Sequence, residues 1–134
     1  MSKKEEKTKA LKALDTVINN KTDVKNAFMC ELGSVDLVYG KPGNPEKDFR
    51  KGSGVIHIIT KRDFEHKMDP KRFRLTGLQL VRKLMDVIVY GNIVRVVKTK
   101  QTVHIAKDGY EAVISQNWCG TSVNWLLTGY KITE

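Results

Sequence analysis

Residues 92–115 read NIVRVVKTKQTVHIAKDGYEAVIS, and the period of this stretch decides the fold. From Asn92 onward the apolar residues follow a period of two, so Ile93 to Val97, Thr102 to Ala106 and Tyr110 to Ser115 read as strands. Lys107-Asp108-Gly109 joins the last two as a tight hairpin, because Asp-Gly supplies the positive φ angles such a turn requires. Asn124 to Lys131 is a further strand. Connections this short make consecutive strands antiparallel neighbours.

Before this stretch the period is helical. Leu78, Val81, Leu84, Met85 and Ile88 recur at helical spacing within 75–90; Thr76 can cap the segment and Gly91 is expected to close it in a left-handed conformation. At the N-terminus Ala10, Leu11, Leu14, Val17 and Ile18 form one apolar stripe on a helix from about Ser2 to Asn19, with Met1 to Lys7 expected to fray. Thr22 or Asp23 can cap a short second helix that runs through Leu32, with Ala27, Phe28 and Leu32 buried and Gly33 as its end. Val35 to Tyr39 reads as a strand, and the following GKPGNPEKDFRKGSG, with four glycines and two prolines, must be a loop, either functional or mobile. Residues 55–66 pull two ways. VIHII favours a strand, whereas Ser53 as a cap and the charged continuation TKRDFEHK favour a helix; the reading leans to a helix from Gly54 to about Lys67. The expected fold is α+β, with N-terminal helices followed by an antiparallel sheet of four to five strands. The 134 residues are expected to form a single domain, with a helical segment over 1–33 and a core over 34–134.

The chain carries 24 basic and 15 acidic residues, a formal net charge of +9. Such a field attracts polyanions, nucleic acid foremost, although solubility alone also favours basic chains. The basic residues are spread along the chain, which implies a basic surface rather than a basic tail. Cys30 and Cys119 form no spaced framework, which points to a reducing compartment. No signal-peptide pattern and no apolar run of membrane-spanning length is found, so a cytoplasmic protein without a membrane partner is expected.

His57 is the first candidate for chemistry, in GSGVIHIITKR beside Lys61 and Arg62. An imidazole titrates near neutrality and can take or give a proton in phosphoester cleavage; taken alone, it is more simply a core histidine among isoleucines. The glycine-rich loop offers backbone amides to a phosphate, but it has neither P-loop nor GxGxxG spacing. The last strand, NWLLTGYKI, is the second candidate. Strict alternation turns Trp125 and Leu127 to the helices and leaves Thr128 and Tyr130 on the open face, where a hydroxyl and a phenol can hold a phosphate or stack on a base; Thr and Tyr also simply suit sheets. Arg95 and His104 can share that cleft, whereas His66, at a charged helix end, is expected to be solvated. No metal-ligand spacing such as His-Glu-x-x-His is present.

VDLVYG, a glycine-rich loop, GVIHIITKR, a helix ending in VIVYGNIV, and a sheet ending in WLLTGYKI occur in an order that resembles the phage-associated Barnase–EndoU–colicin–RelE-like nucleases. The resemblance covers about Val35 to Ile132. It implies a small ribonuclease that needs no metal and no cofactor, found in prophage and toxin contexts, acting in a bacterial host's cytoplasm or delivered by a phage. Its partners would be RNA and an inhibitor or phage protein. Carried over by position, the catalytic set is His57, Thr128, Tyr130 and a basic residue, for which Arg95 comes first and Lys98 and Lys61 follow. Lys61, Arg62, Lys98 and Lys131 are expected to bind the RNA. The implied chemistry is attack of a ribose 2′-hydroxyl on phosphorus to give a 2′,3′-cyclic phosphate. A non-catalytic RNA- or DNA-binding module, or a phage structural or partner-binding protein, would account for the same charge.

Overall fold

A computed structural model describes residues 2–47, 49, 52–118 and 120–132; Cys119 lies outside them. Helix α1 spans Lys3–Asn20, and the Ser2 side chain accepts from the Glu5 amide at 3.1 Å. Lys3 to Lys7 are therefore helical rather than frayed, and Met1 lies outside the described residues. Glu5 and Glu6 complement the positive end of the helix, and the Glu6 carboxylate accepts from the Met29 amide at 2.7 Å, fastening the first turn to the sheet.

The expected second helix is instead a strand, β1 (Val24–Cys30), paired antiparallel with β2 (Gly33–Leu37). The register shifts between Val24 and Phe28, where Asn26 has φ 52°. That irregularity turns Ala27 and Phe28 inward in succession, which hides the strand period. Asp23 caps nothing; its carboxylate accepts from the Tyr39 amide at 2.9 Å. The helical part of 1–33 thus ends with α1.

Helix α2 (Gly54–Met68) forms as the leaning reading expected, although Ser53 makes no side-chain cap bond. The carbonyls of Val38 and Tyr39 accept instead from the amides of Val55 and Ile56, at 2.8 and 2.9 Å. This is also why β2 ends at Leu37. Helix α3 (Gly77–Tyr90) carries a capping box between Thr76 and Gln79. Its inward side is Leu80, Val81, Leu84, Met85, Val87 and Ile88, while Leu78 is 43% exposed, contrary to expectation. Gly91 is extended (φ −76°, ψ 178°), not left-handed; a Cβ there would overlap the carbonyl oxygens of Val87 and Ala106, so close packing accounts for the glycine.

Four more strands follow: β3 (Asn92–Val97), β4 (Thr102–Lys107), β5 (Tyr110–Trp118) and β6 (Thr121–Lys131). The β4–β5 turn has φ 55° at Asp108 and 81° at Gly109, as its sequence demands. The six strands lie in the order β1-β2-β6-β5-β4-β3. The sheet is mixed rather than purely antiparallel, because β2 and β6 run parallel. The α+β class holds: among the described residues there are three α-helices and one strand more than the upper expectation. Among the described residues no helix is long and apolar enough to cross a membrane.

Asp86 on α3 receives Lys7 of α1 at 3.1 Å and Lys107 of β4 at 2.6 Å. Burial pushes its carboxyl up, but the hydrogen bonds and charges of the two lysines outweigh that and hold it below the usual range. A carboxyl depressed on folding stabilises the fold above its unfolded pKa of about 4, and the benefit fades as pH falls through the lower folded value. Asp86→Asn should therefore lower the urea midpoint at neutral pH, by about 1–3 kcal/mol of stability, and the gap to the parent should shrink in acid. A gap that stays constant down to strong acid would leave these contacts without an energetic role.

Candidate active site

The loop after β2 builds the first wall. Lys41 and Ser53 exchange both backbone hydrogen bonds at 2.9 Å, closing the loop into a clasp over the start of α2. The amides of Lys47 and Phe49 go to Asn44, and that of Gly52 to Phe49, so the described amides are largely spent internally rather than offered to a phosphate. Pro42 turns its carbonyl to His57 Nδ1 at 3.0 Å. A carbonyl only accepts, so in the neutral ring the proton sits on Nδ1 and the lone pair on Nε2. Gly52 makes this bond sterically feasible, since a Cβ there would overlap both His57 Nδ1 and the Pro42 carbonyl.

The second wall is the end of β6. The register slips between Val113–Thr128 and Ile114–Leu126, leaving Leu127 as an extra residue. The bulge overturns the expected alternation at Leu126 and Leu127: Leu126 is fully buried in the core and Leu127 is not. Beyond it, Gly129 faces α3, where a Cβ would overlap the Leu84 side chain. Thr128 and Tyr130 flank Gly129 and so leave by the opposite face, as expected for them. The bridge Asp36–Trp125 ends the pairing with β2 before this point, so Thr128 to Lys131 border open space.

Between the walls lies a cavity of about 380 Å³. It is lined by His57, Lys61, Arg62 and Glu65 of α2, Arg72 and Phe73 of the α2–α3 corner, and Thr128, Tyr130 and Lys131 of β6. His57 is half-buried rather than sealed in the core. Arg62 is buried; its Nε lies 3.4 Å from Glu65 Oε1, and its guanidinium carbon stands 5.0 Å from the Phe73 ring centre. Arg72 stands 5.1 Å from the same centre. His66 is not merely solvated: its Nδ1 donates to the Phe73 carbonyl at 2.6 Å, and Asp63 accepts from the Gly77 amide at 2.6 Å, so the corner is fastened to α2.

Of the residues expected from sequence, His57, Lys61, Arg62, Thr128, Tyr130 and Lys131 are thus brought together. Arg95 and Lys98 are not among the lining residues. Lys98 borders a separate groove with Gln101, Gln116 and Asn124. Arg95 stands on the open face of the sheet, 3.7 Å from Glu111. There Glu111 Oε2 accepts from His104 Nδ1 at 2.6 Å and from the Tyr130 hydroxyl. Because Nδ1 spends its proton on Glu111, it offers no lone pair to Arg95, whose part is its charge. Burial would raise the Glu111 carboxyl, but the bonds from Tyr130 and His104 and the neighbouring positive charges hold it below its ordinary value. The Tyr130 phenol is pushed up, by burial first and then by Glu111. Glu111→Gln should therefore let Tyr130 ionise at lower pH, read from phenolate absorbance. An unmoved titration would mean that burial alone sets it.

Arg72, Phe73, Glu65 and Glu111 were not singled out from sequence. The run Lys71-Arg72-Phe73-Arg74, an aromatic set among basic residues, was the signal for the first two. Among the described residues no group of three or more His, Cys, Asp or Glu side chains could hold a metal. The family model described as phage-Barnase-EndoU-ColicinE5/D-RelE like nuclease1 matches residues 27–134. No curated protein and no solved structure matches the chain.

Proposed function

Because the chain belongs to the phage Barnase–EndoU–colicin E5/D–RelE-like nuclease family, we propose that it is an endoribonuclease acting in the α2–β6 cavity without a metal. The observation that carries this reading is one cavity lined by an imidazole, a hydroxyl and several cations. His57 Nε2 takes the proton of a ribose 2′-hydroxyl. The 2′ oxygen bonds to phosphorus, the bond from phosphorus to the 5′ oxygen breaks, and that oxygen takes a proton from the Lys61 ammonium. The products are a 2′,3′-cyclic phosphate and a 5′-hydroxyl. Lys131 offsets the charge on the phosphorane, and the Thr128 hydroxyl donates to a non-bridging oxygen. Arg95, placed on the other side of Glu111, acts in this scheme by helping to hold Tyr130 rather than by touching the phosphate.

A non-catalytic nucleic-acid module is the second reading, since a cationic cavity suits binding as well as cleavage. The test uses end-labelled RNA in EDTA, beside the same strand carrying 2′-deoxyribose throughout. The ribonuclease reading expects the RNA to be cut to cyclic-phosphate ends and the deoxy strand to survive. Equal cutting of both strands, or ends bearing a 5′-phosphate, would remove the 2′-hydroxyl mechanism. Binding without cutting would favour the module.

A further inference from the structure

From the far end of the cavity we infer that it holds a second phosphate of the same strand, gripped by Arg62 and Arg72 beside Phe73. The inference rests on the nucleic-acid reading of the cavity and adds the substrate class: oligonucleotides with at least two consecutive phosphodiesters.

Arg62 lies five residues after His57 on α2, an axial rise of roughly 7.5 Å between their backbones, so the wall that carries both is longer than one phosphate group. Arg62 is only 7% exposed, and its Nε has no hydrogen bond of good geometry; Glu65 meets it as an ion pair at 3.4 Å. A buried charge with one N–H left without a hydrogen bond is costly, and an anion at the cavity end of the guanidinium offsets that cost. Arg72 adds a second guanidinium against the same ring. Two guanidiniums on one aromatic ring repel each other, and with Lys61 on the same wall Glu65 does not neutralise them. The corner that carries Arg72 and Phe73 is held by His66 and Asp63, so the backbone that presents them is set before any ligand arrives. Planar, fork-shaped donors suit phosphate oxygens, and both stand against one ring.

The test measures binding of 2′-O-methyl oligonucleotides, randomised in base, with one and with two phosphodiesters. These probes lack the attacking hydroxyl, so the result does not depend on catalysis. In the parent protein the second phosphodiester should tighten binding at least tenfold. Arg72→Ala, at an exposed position, and Arg62→Lys, which keeps the charge but loses the fork, should each reduce that gain to about twofold or less. Arg72→Ala should also lower the salt dependence of binding by roughly one phosphate's share. A parent protein that gains nothing from the second phosphodiester would overturn the inference, as would a gain that survives in both variants. Loss of RNA cleavage with the gain intact would instead count against the ribonuclease reading and leave this subsite standing.

Discussion

His57→Ala should lower the rate of RNA cleavage by roughly 10²–10⁴-fold, the range that general acid–base catalysis contributes. Binding should change little, because Lys61, Arg62, Arg72 and Lys131 remain on the cavity wall. The fold should tolerate the change. His57 is half-buried, and the bond lost, to the Pro42 carbonyl, is worth about 1 kcal/mol net. A folded variant that binds RNA normally yet cuts it slowly is the signature of a missing proton acceptor. Single-turnover cleavage beside equilibrium binding separates the two effects. A variant that cleaves at the parent rate would show that the imidazole takes no part, and the base would then have to be sought elsewhere on the wall.

Much of the architecture was legible because its signals are local. The Asp108-Gly109 turn, the Thr76 cap and the stripe of α1 each depend on residues a few positions apart. What stayed hidden depends on irregularities that local pattern does not carry. Bulges in β1 and β6 each place residues against the strand period, which made 24–30 look helical and reversed Leu126 and Leu127. The parallel pairing of β2 with β6 joins residues about ninety positions apart through Asp36 and Trp125, and no short connection announces it. The site divides in the same way. Lys61 and Arg62 follow His57 by about one turn of one helix, and Thr128 and Tyr130 share one strand, so each half was visible as a motif. Arg95 was placed with them by strand alternation, which gives a face but not a distance; across the sheet it reaches Glu111 and falls short of the cavity lining. Glu111 went unremarked because a lone carboxylate after a turn carries no signal until Tyr130 and His104 meet it.

Gly52→Ala should reduce cleavage by about two orders of magnitude without touching any group that meets the phosphate. The added Cβ would occupy the space in which His57 Nδ1 meets the Pro42 carbonyl, so the ring has to turn or shift. A catalytic group misplaced by about 1 Å can cost 10²-fold, because the reaction depends on the base already standing in line with the proton it takes. The cost to stability should be smaller than the cost to activity, since Gly52 lies in the loop while the core is built by side chains of the three helices and the sheet. The loss should appear in kcat rather than KM, as the cationic wall is unchanged. A double variant carrying both Gly52→Ala and His57→Ala distinguishes displacement from general damage. If Gly52 acts through the imidazole alone, the double variant should be no slower than His57→Ala, a strongly non-additive pair. Losses that multiply would mean that the clasp between Lys41 and Ser53 serves the reaction by some route other than holding His57.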